Sequence, residues 1–248
     1  MDNAGEFKNT GGAFPTTHRS ILVALTAADT TVRERAMEAV IAAYWKPIYK
    51  YLRIRWRRSD EDARDLTQQF FTSALEKEFL TKYDATKAKF RTYLRVCADR
   101  LAANELEYRN RAKRGGGAEL LSLDFESAES ELPREMAVSN ENLDDYFNRE
   151  WLRNVLGSAL DRMKVDYTKR GRAAAFAVFY EYYVDALAEK YSYNELASRH
   201  NVKVTDVTNY LAGGRRDLRK FLIEILESIT TTPEELKDEV RYVLGEES

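Results

Sequence analysis

The sequence predicts an all-α protein of two helical domains joined by an acidic linker. Three observations carry that reading. Apolar residues recur at three- and four-residue spacing, and alternating strand-like runs are absent. Only four prolines and eleven glycines interrupt the 248 residues. The charges are segregated: 39 Lys and Arg nearly balance 41 Asp and Glu, yet the two signs fall in separate blocks.

Residues 1–19 form a polar leader. Helical pattern begins near Ser20, and Val32, Ala36, Val40, Ala43 and Tyr44 make one stripe. Pro47 lacks an N–H and clashes in a helix interior, so a new helix is expected to start there. Ser59 and Asp62 have capping-box spacing ahead of the stripe Ala63, Leu66, Phe70 and Ala74, widened by Phe71 and Leu75. After a loop, a long helix runs from about Phe90 to Lys113, with Phe90, Tyr93, Leu94, Cys97, Leu101 and Tyr108 inward, and Gly115–Gly117 end it. These elements make a first domain over 20–115.

Residues 116–147 carry nine acids against one base, Arg134, and apolar periodicity fades, so like-charge repulsion predicts an extended linker. A second domain is expected over 148–228. Trp151, Val155, Leu156, Leu160 and Met163 mark one helix; Phe176, Phe179, Tyr180, Tyr183 and Leu187 mark another. Ser192 and Glu195 form a second capping-box pattern, followed by a short helix, the turn His200–Val202 and a longer helix with Val204, Val207, Leu211 and Leu218. Short helix, tight turn and longer helix is a helix-turn-helix pattern. Residues 229–248 read as a small helix and tail.

Several chemistries are disfavoured. Cys97 is the one cysteine, which excludes an intrachain disulfide framework and a cysteine-rich zinc site. The start MDNAGEFKNTGG lacks the layout of a signal peptide, and no apolar run approaches the roughly 18 residues of a membrane helix. A cytoplasmic protein with no membrane partner is expected. No Ser-His-Asp or Cys-His set is recognisable, and His18 and His200 read as surface or turn residues. No catalytic residue, cofactor or metal is assigned.

Nucleic acid is the favoured ligand. Residues 87–114 hold nine bases against three acids, a formal +6. Such a surface attracts a phosphate backbone and releases counterions on binding it. Phe90, Tyr93 and Asn104 lie among those bases, and aromatic platforms in a basic groove suit single-stranded nucleic acid. The second helix of the helix-turn-helix offers Thr205, Asp206, Thr208 and Asn209 where such helices meet base edges, with Arg215, Arg216, Arg219 and Lys220 behind them for phosphates. Asp60, Glu61, Asp62 and Asp65 complement a helix macrodipole; a docking face for a basic helix and a Mg²⁺ site are the functional alternatives.

In this order the residues resemble a bacterial RNA polymerase sigma factor of the extracytoplasmic-function type. YWKPIYKYLR, SDEDARDLTQQFF and KFRTYLRVCADRLAANELEYRNRAKRGGG resemble sigma domain 2, with its DAEDLxQ helix and FRxWL entry to the promoter-melting helix. SYNELASRHNVKVTDVTNYLAGGRRDLRKFL resembles the sigma domain 4 helix-turn-helix, SYxEIAxxLGxSxxTVxxxLxRARxxLR. FPTTHRSILVAL and RGGG are similar to a subgroup from large-genome bacteria.

The resemblance implies an initiation factor rather than an enzyme, with core RNA polymerase (β′ clamp helices and β subunit) and promoter DNA as partners. Asp62, Asp65, Leu66, Gln68, Phe70 and Phe71 would dock on the clamp helices. Lys87, Lys89, Phe90, Arg91, Tyr93 and Arg95 would capture a base flipped from the −10 element, beside a backbone held by Asn104, Arg109, Arg111 and Lys113. Lys203, Thr205, Asp206, Thr208, Asn209, Arg215, Arg216 and Arg219 would meet the −35 element. The acidic linker would thread the polymerase's RNA-exit path. An anti-sigma factor or a Ser/Thr kinase is a further partner class, with Thr67 or Ser59 as phosphosites.

The chain departs from the family pattern. Arg64 and Gln69 stand where Glu is usual, Lys203 replaces a Ser or Thr cap, and Gly213-Gly214 falls inside the recognition helix, where a bend or early end is expected. Two other readings stay open: a helix-turn-helix regulator acting without polymerase, and a Mg²⁺-dependent all-α enzyme using the Asp60–Asp65 cluster.

Overall fold

The structure, a computed structural model, describes residues 20–75, 82–109, 122–132, 142–185 and 191–245. Those residues form ten helices and no strand. The helices are α1 (Ile21–Leu25), α2 (Thr30–Arg55), α3 (Asp60–Leu75), α4 (Phe90–Arg109), α5 (Phe125–Ser130), α6 (Leu143–Lys169), α7 (Ala173–Tyr183), α8 (Tyr193–Arg199), α9 (Val204–Glu227) and α10 (Pro233–Leu244). Among the described residues no helix is long and apolar enough to cross a membrane. The chain divides into two compact units, Met1–Asn154 with Leu226–Ser248, and Val155–Ile225. The stretch read from sequence as a tail therefore belongs to the first unit.

In the first unit α2 is the central element, packed against α1, α3, α4 and α5. It runs unbroken through Pro47, contrary to the expected break. Proline removes the N–H that would bond the carbonyl four residues back. The Asn154 side-chain amide replaces it, donating to Ala43 O at 3.0 Å and Ala42 O at 2.8 Å. With the ladder repaired, α2 buries Val40, Tyr44, Ile48, Tyr51 and Leu52 in one run.

One further helix differs from expectation, and the expected small C-terminal helix packs into the first unit. Part of the acidic linker is helix α5, capped by Asp124, with Phe125 and Ala128 buried and Phe125 edge-on to Trp45. Its acids do not simply repel one another, because α2 supplies cations: Glu131 pairs with Lys46 and Lys50, and Glu129 with Arg53. Within that segment 116–121 and 133–141 lie outside the described residues, and 143–147, expected as linker, open α6 with Tyr146 and Phe147 buried. Helix α10 is capped by the Thr232 side chain, starts on Pro233 and ends on Gly245 in the left-handed region (φ 67°), buring Leu236 and Val240.

The second unit packs α6, α7, α8 and α9 around Met163, Tyr167, Val178, Phe179, Leu196, Val207 and Leu211. The capping box at Ser192 and Glu195 forms with both reciprocal bonds. The α8–α9 turn is made by Asn201 at φ 51°, a conformation asparagine tolerates better than most residues. Helix α9 passes through Gly213-Gly214 as one helix rather than ending there. The two glycines differ in surroundings. A Cβ at Gly213 would meet nothing closer than 3.8 Å, whereas one at Gly214 would fall 2.2 Å from Phe179 Cδ2. Gly214 is a close-approach site between α9 and α7.

Two outcomes follow from this packing. Gly214→Ala overpacks the α7–α9 contact and should destabilise the second unit by about 1–3 kcal/mol, while Gly213→Ala should be neutral or stabilise by up to about 1 kcal/mol. Asn154→Ala leaves the Ala43 carbonyl buried and unbonded, at about 1–3 kcal/mol. Urea unfolding of the three variants against the parent checks both.

Candidate nucleic-acid interface

The basic segment is split by the fold into an open part and a part in use. The open part lines a cavity of about 480 Å³ in the first unit. One wall is α4: Tyr93, Cys97, Arg100, Leu101 and Asn104 recur at three- and four-residue steps along one helix face. The preceding loop supplies Lys82, Asp84 and Lys87, and α3 supplies Phe70 and Ser73. Asp84 shapes the loop by accepting from the Thr86 N–H at 3.0 Å and pairing with Lys87 at 3.2 Å. The Thr86 hydrogen bonds, ahead of Lys87, hold its carboxyl below the ordinary range. Tyr83 packs on Phe90 and Tyr93, with ring centroids 5.3 and 5.2 Å away, and donates to Ala88 O at 2.8 Å.

Burial, followed by the neighbouring Cys97, pushes the Tyr93 phenol up to about 12, so it is a neutral donor at pH 7. Burial likewise raises the Cys97 thiol, which stays protonated and is no nucleophile. Neutral aromatic surface beside Lys82, Lys87 and Arg100 can stack on a planar base and neutralise its phosphates. Lys82, Ser73 and Arg100 were not among the residues expected from sequence. The α4 periodicity through Tyr93 and Cys97 carried the signal for Arg100; Lys82 and Ser73 come from neighbouring segments without a local pattern.

The other expected −10 residues sit elsewhere. Phe90 is 1% exposed and Arg91 is 6% exposed, both under α10. Arg95 is held by Asp99 and Asp144 and lies over the Tyr51 ring. As placed, these three serve the core of the unit rather than an open surface. Lys87 is 80% exposed and Lys89 partly so. The Arg109 side chain, Arg111 and Lys113 lie outside the described residues, as does the Tyr108 side chain.

On α3 the residues expected to dock on a partner divide by helical face. Leu66, Phe70 and Phe71 are in the core. Asp65 is exposed, and Asp62 and Gln68 are half-buried. Thr67 is fully buried, its hydroxyl on Ala63 O, so a kinase cannot reach it in this fold; Ser59 is exposed and caps α3 by accepting from the Asp62 N–H at 3.1 Å. Arg64 pairs with Asp60 at 2.7 Å within the helix. Among the described residues no three His, Cys, Asp or Glu side chains converge as metal ligands.

In the second unit α9 exposes Thr205, Thr208, Asn209, Arg215 and Arg216, with Lys203 at its start. Val207 and Leu211 on the opposite face anchor it. Asp206 is occupied: its carboxylate accepts from the Lys203 N–H at 3.1 Å, the bond that the third helical residue contributes to a capping box, while the bond that a Ser or Thr at 203 would accept is not made by lysine. Arg215 donates to the Tyr183 hydroxyl at 2.6 Å, which fixes its head beside the exposed face. Arg219 is half-buried.

A second polar cluster joins α2, α3 and α5. The Tyr49 hydroxyl lies 2.6 Å from Asp60 Oδ1 and 2.5 Å from Glu129 Oε2. Burial, then these two carboxylates, raise its pKa well above the ordinary phenol value. Arg53 clasps Glu129 through Nε at 2.9 Å and a second nitrogen. That bond, outweighing burial, lowers the Glu129 carboxyl below its ordinary 4.5. A lowered folded-state pKa means the clasp stabilises fully above pH 4.5 and is lost as pH falls through the folded value. Acidification from about pH 5 should therefore cost the parent more unfolding free energy than Glu129→Gln, which lacks the titrating group. Equal pH slopes in urea unfolding would refute the assignment.

Comparison of the chain with protein-family models, with curated proteins and with solved structures finds no match in any of the three.

Proposed function

We propose that the chain is a sigma factor of the extracytoplasmic-function type, which binds core RNA polymerase and directs promoter recognition and melting. The observation that carries this reading is the cavity beside α4. It sets Tyr93, Arg100, Asn104, Lys82 and Lys87 around a space within the usual 300–1,000 Å³ of small-molecule sites. An aromatic wall with a cationic rim suits one unstacked nucleobase and its flanking phosphates. A base held there is lost to the duplex, so binding energy shifts the promoter towards its opened form without ATP.

Two further features support the same reading. The exposed row Thr205, Thr208 and Asn209 with Arg215 and Arg216 behind it has the layout of a recognition helix, with short polar side chains ahead of phosphate contacts. The exposed acids Glu61 and Asp65 on α3 offer a face to a basic partner helix. In this reading the polymerase is the partner of α3, opened promoter DNA of the α4 cavity and duplex DNA of α9.

Run-off transcription with purified bacterial core polymerase on a promoter library tests the proposal. New start sites that share two spaced motifs are expected only when the chain is added. Tyr93→Ala should reduce open-complex formation about tenfold or more while leaving polymerase association intact, because loss of one base stack costs about 1–3 kcal/mol; Asn104→Ala, which removes a hydrogen-bonding side chain and no stack, should reduce it less. Failure to associate with core polymerase, together with sequence-specific duplex binding by the chain alone, would replace the proposal with a stand-alone helix-turn-helix regulator.

A further inference from the structure

Helix α10 occupies the start of α4 with carboxylates. The first N–H groups of a helix have no intrahelical acceptor and form an anion site. Here the Phe90 N–H donates to Glu235 Oε1 at 2.6 Å. The other oxygen of Glu235 accepts from the Thr231 N–H at 2.8 Å and the Thr231 hydroxyl at 2.6 Å. One helical turn on, Glu239 forms an ion pair with Arg91 and lies 3.8 Å from Lys89 Nζ. The Arg91 guanidinium lies against two rings, Tyr242 of α10 with its centroid 4.3 Å away and Trp151 of α6 at 4.8 Å. Two acids four residues apart thus satisfy a helix N-terminus, an arginine and a lysine. That is the donor set a nucleic-acid backbone would otherwise engage.

We propose that α10 is an intramolecular stand-in for DNA phosphate on the α4 entry turn, and that strand binding displaces it. The inference rests on the reading of α4 as a DNA-binding helix. Its chemistry is an exchange of like for like: Glu235 and Glu239 leave, and two phosphates take the Phe90 N–H, Arg91 and Lys89. The docked state is imperfectly satisfied, since Arg91 Nε is buried with no hydrogen-bond partner among the described residues. Glu239 is also held against its own solvation: burial raises its carboxyl above the ordinary range despite the neighbouring Arg91. Both features favour release once another anion is offered. The adjacent cavity shares this entry turn through Tyr83, which touches Phe90 on one side and Tyr93 on the other. Docked α10 and a strand in the cavity therefore compete for one stretch of backbone.

The test uses the full chain and a fluorescein-labelled single-stranded DNA pool of about 12 nucleotides, a length that spans one such site. In the unmodified chain, hydrogen exchange of the amides in Pro233–Leu244 should rise when the DNA is bound. The pair Glu235→Gln and Glu239→Gln should tighten DNA binding about tenfold, as expected if docking leaves about a tenth of the molecules competent. Glu234→Gln with Asp238→Asn removes the same formal charge from the exposed face of α10 and should leave affinity within about twofold of the parent. Unchanged or slower exchange in α10 on DNA binding overturns the proposal, with no variant involved. Equal tightening by both pairs overturns it too, since bulk charge would then explain the gain. DNA binding that neither pair alters sinks the displacement idea alone, while absence of DNA binding in every chain removes the DNA reading of α4 along with it.

Discussion

The first unit depends on α2 remaining one helix across Pro47. Val40 and Tyr44 before that proline and Ile48 and Leu52 after it are all buried along one helix, which packs against α1, α3, α4 and α5. A break would rotate one half away from α3 and α4 and expose apolar surface worth about 25 cal/mol per Å². The repair is a single side-chain amide from Asn154, which donates to the Ala43 carbonyl that the proline leaves short and to its neighbour, the Ala42 carbonyl. Helix α4, one wall of the cavity, is tied to that helix by Tyr51 against Arg95 and Tyr44 against Phe90.

Charge, rather than apolar area, then decides which surfaces stay open. The net balance of the chain conceals an internal matching of blocks. Acids of α5 neutralise the cations of α2, and acids of α10 neutralise the first bases of α4. Lys50 and Glu150 are a buried pair at 2.8 Å, each about 3–4% exposed, and Glu131 reaches the same ammonium from α5. The cations that stay exposed are narrower than the basic segment as a whole: Lys82, Lys87 and Arg100 at the cavity rim, and Arg215 and Arg216 on the outer face of α9.

Much of this was legible in the residues. The helical class, the side-chain cap at Ser59, the capping box at Ser192, the stripe of α3 and the short-turn-long pattern of α8 and α9 are all local signals, and they fold as local physics suggests. The misreadings share a different cause. Pro47 reads as a break because its rescue comes from a residue 111 positions beyond Ala43. Residues 125–130 read as linker because the cations that order them lie 76 to 85 positions earlier. Arg91 reads as an open phosphate contact because Glu239 stands 148 positions away. Gly214 reads as a weak point because Phe179, which needs the missing Cβ, sits on another helix. Propensity within a window cannot register a partner supplied by tertiary structure.

The hydroxyl of Tyr49 has one proton and two carboxylates within reach, one at the head of α3 and one on α5. Whatever draws Glu129 away hands that proton wholly to Asp60, and whatever engages Asp60 returns it to Glu129. The acidic front of α3 and the acidic segment after α4 are thereby thermodynamically linked: occupancy of either by an outside partner changes the free energy of engaging the other by the same amount.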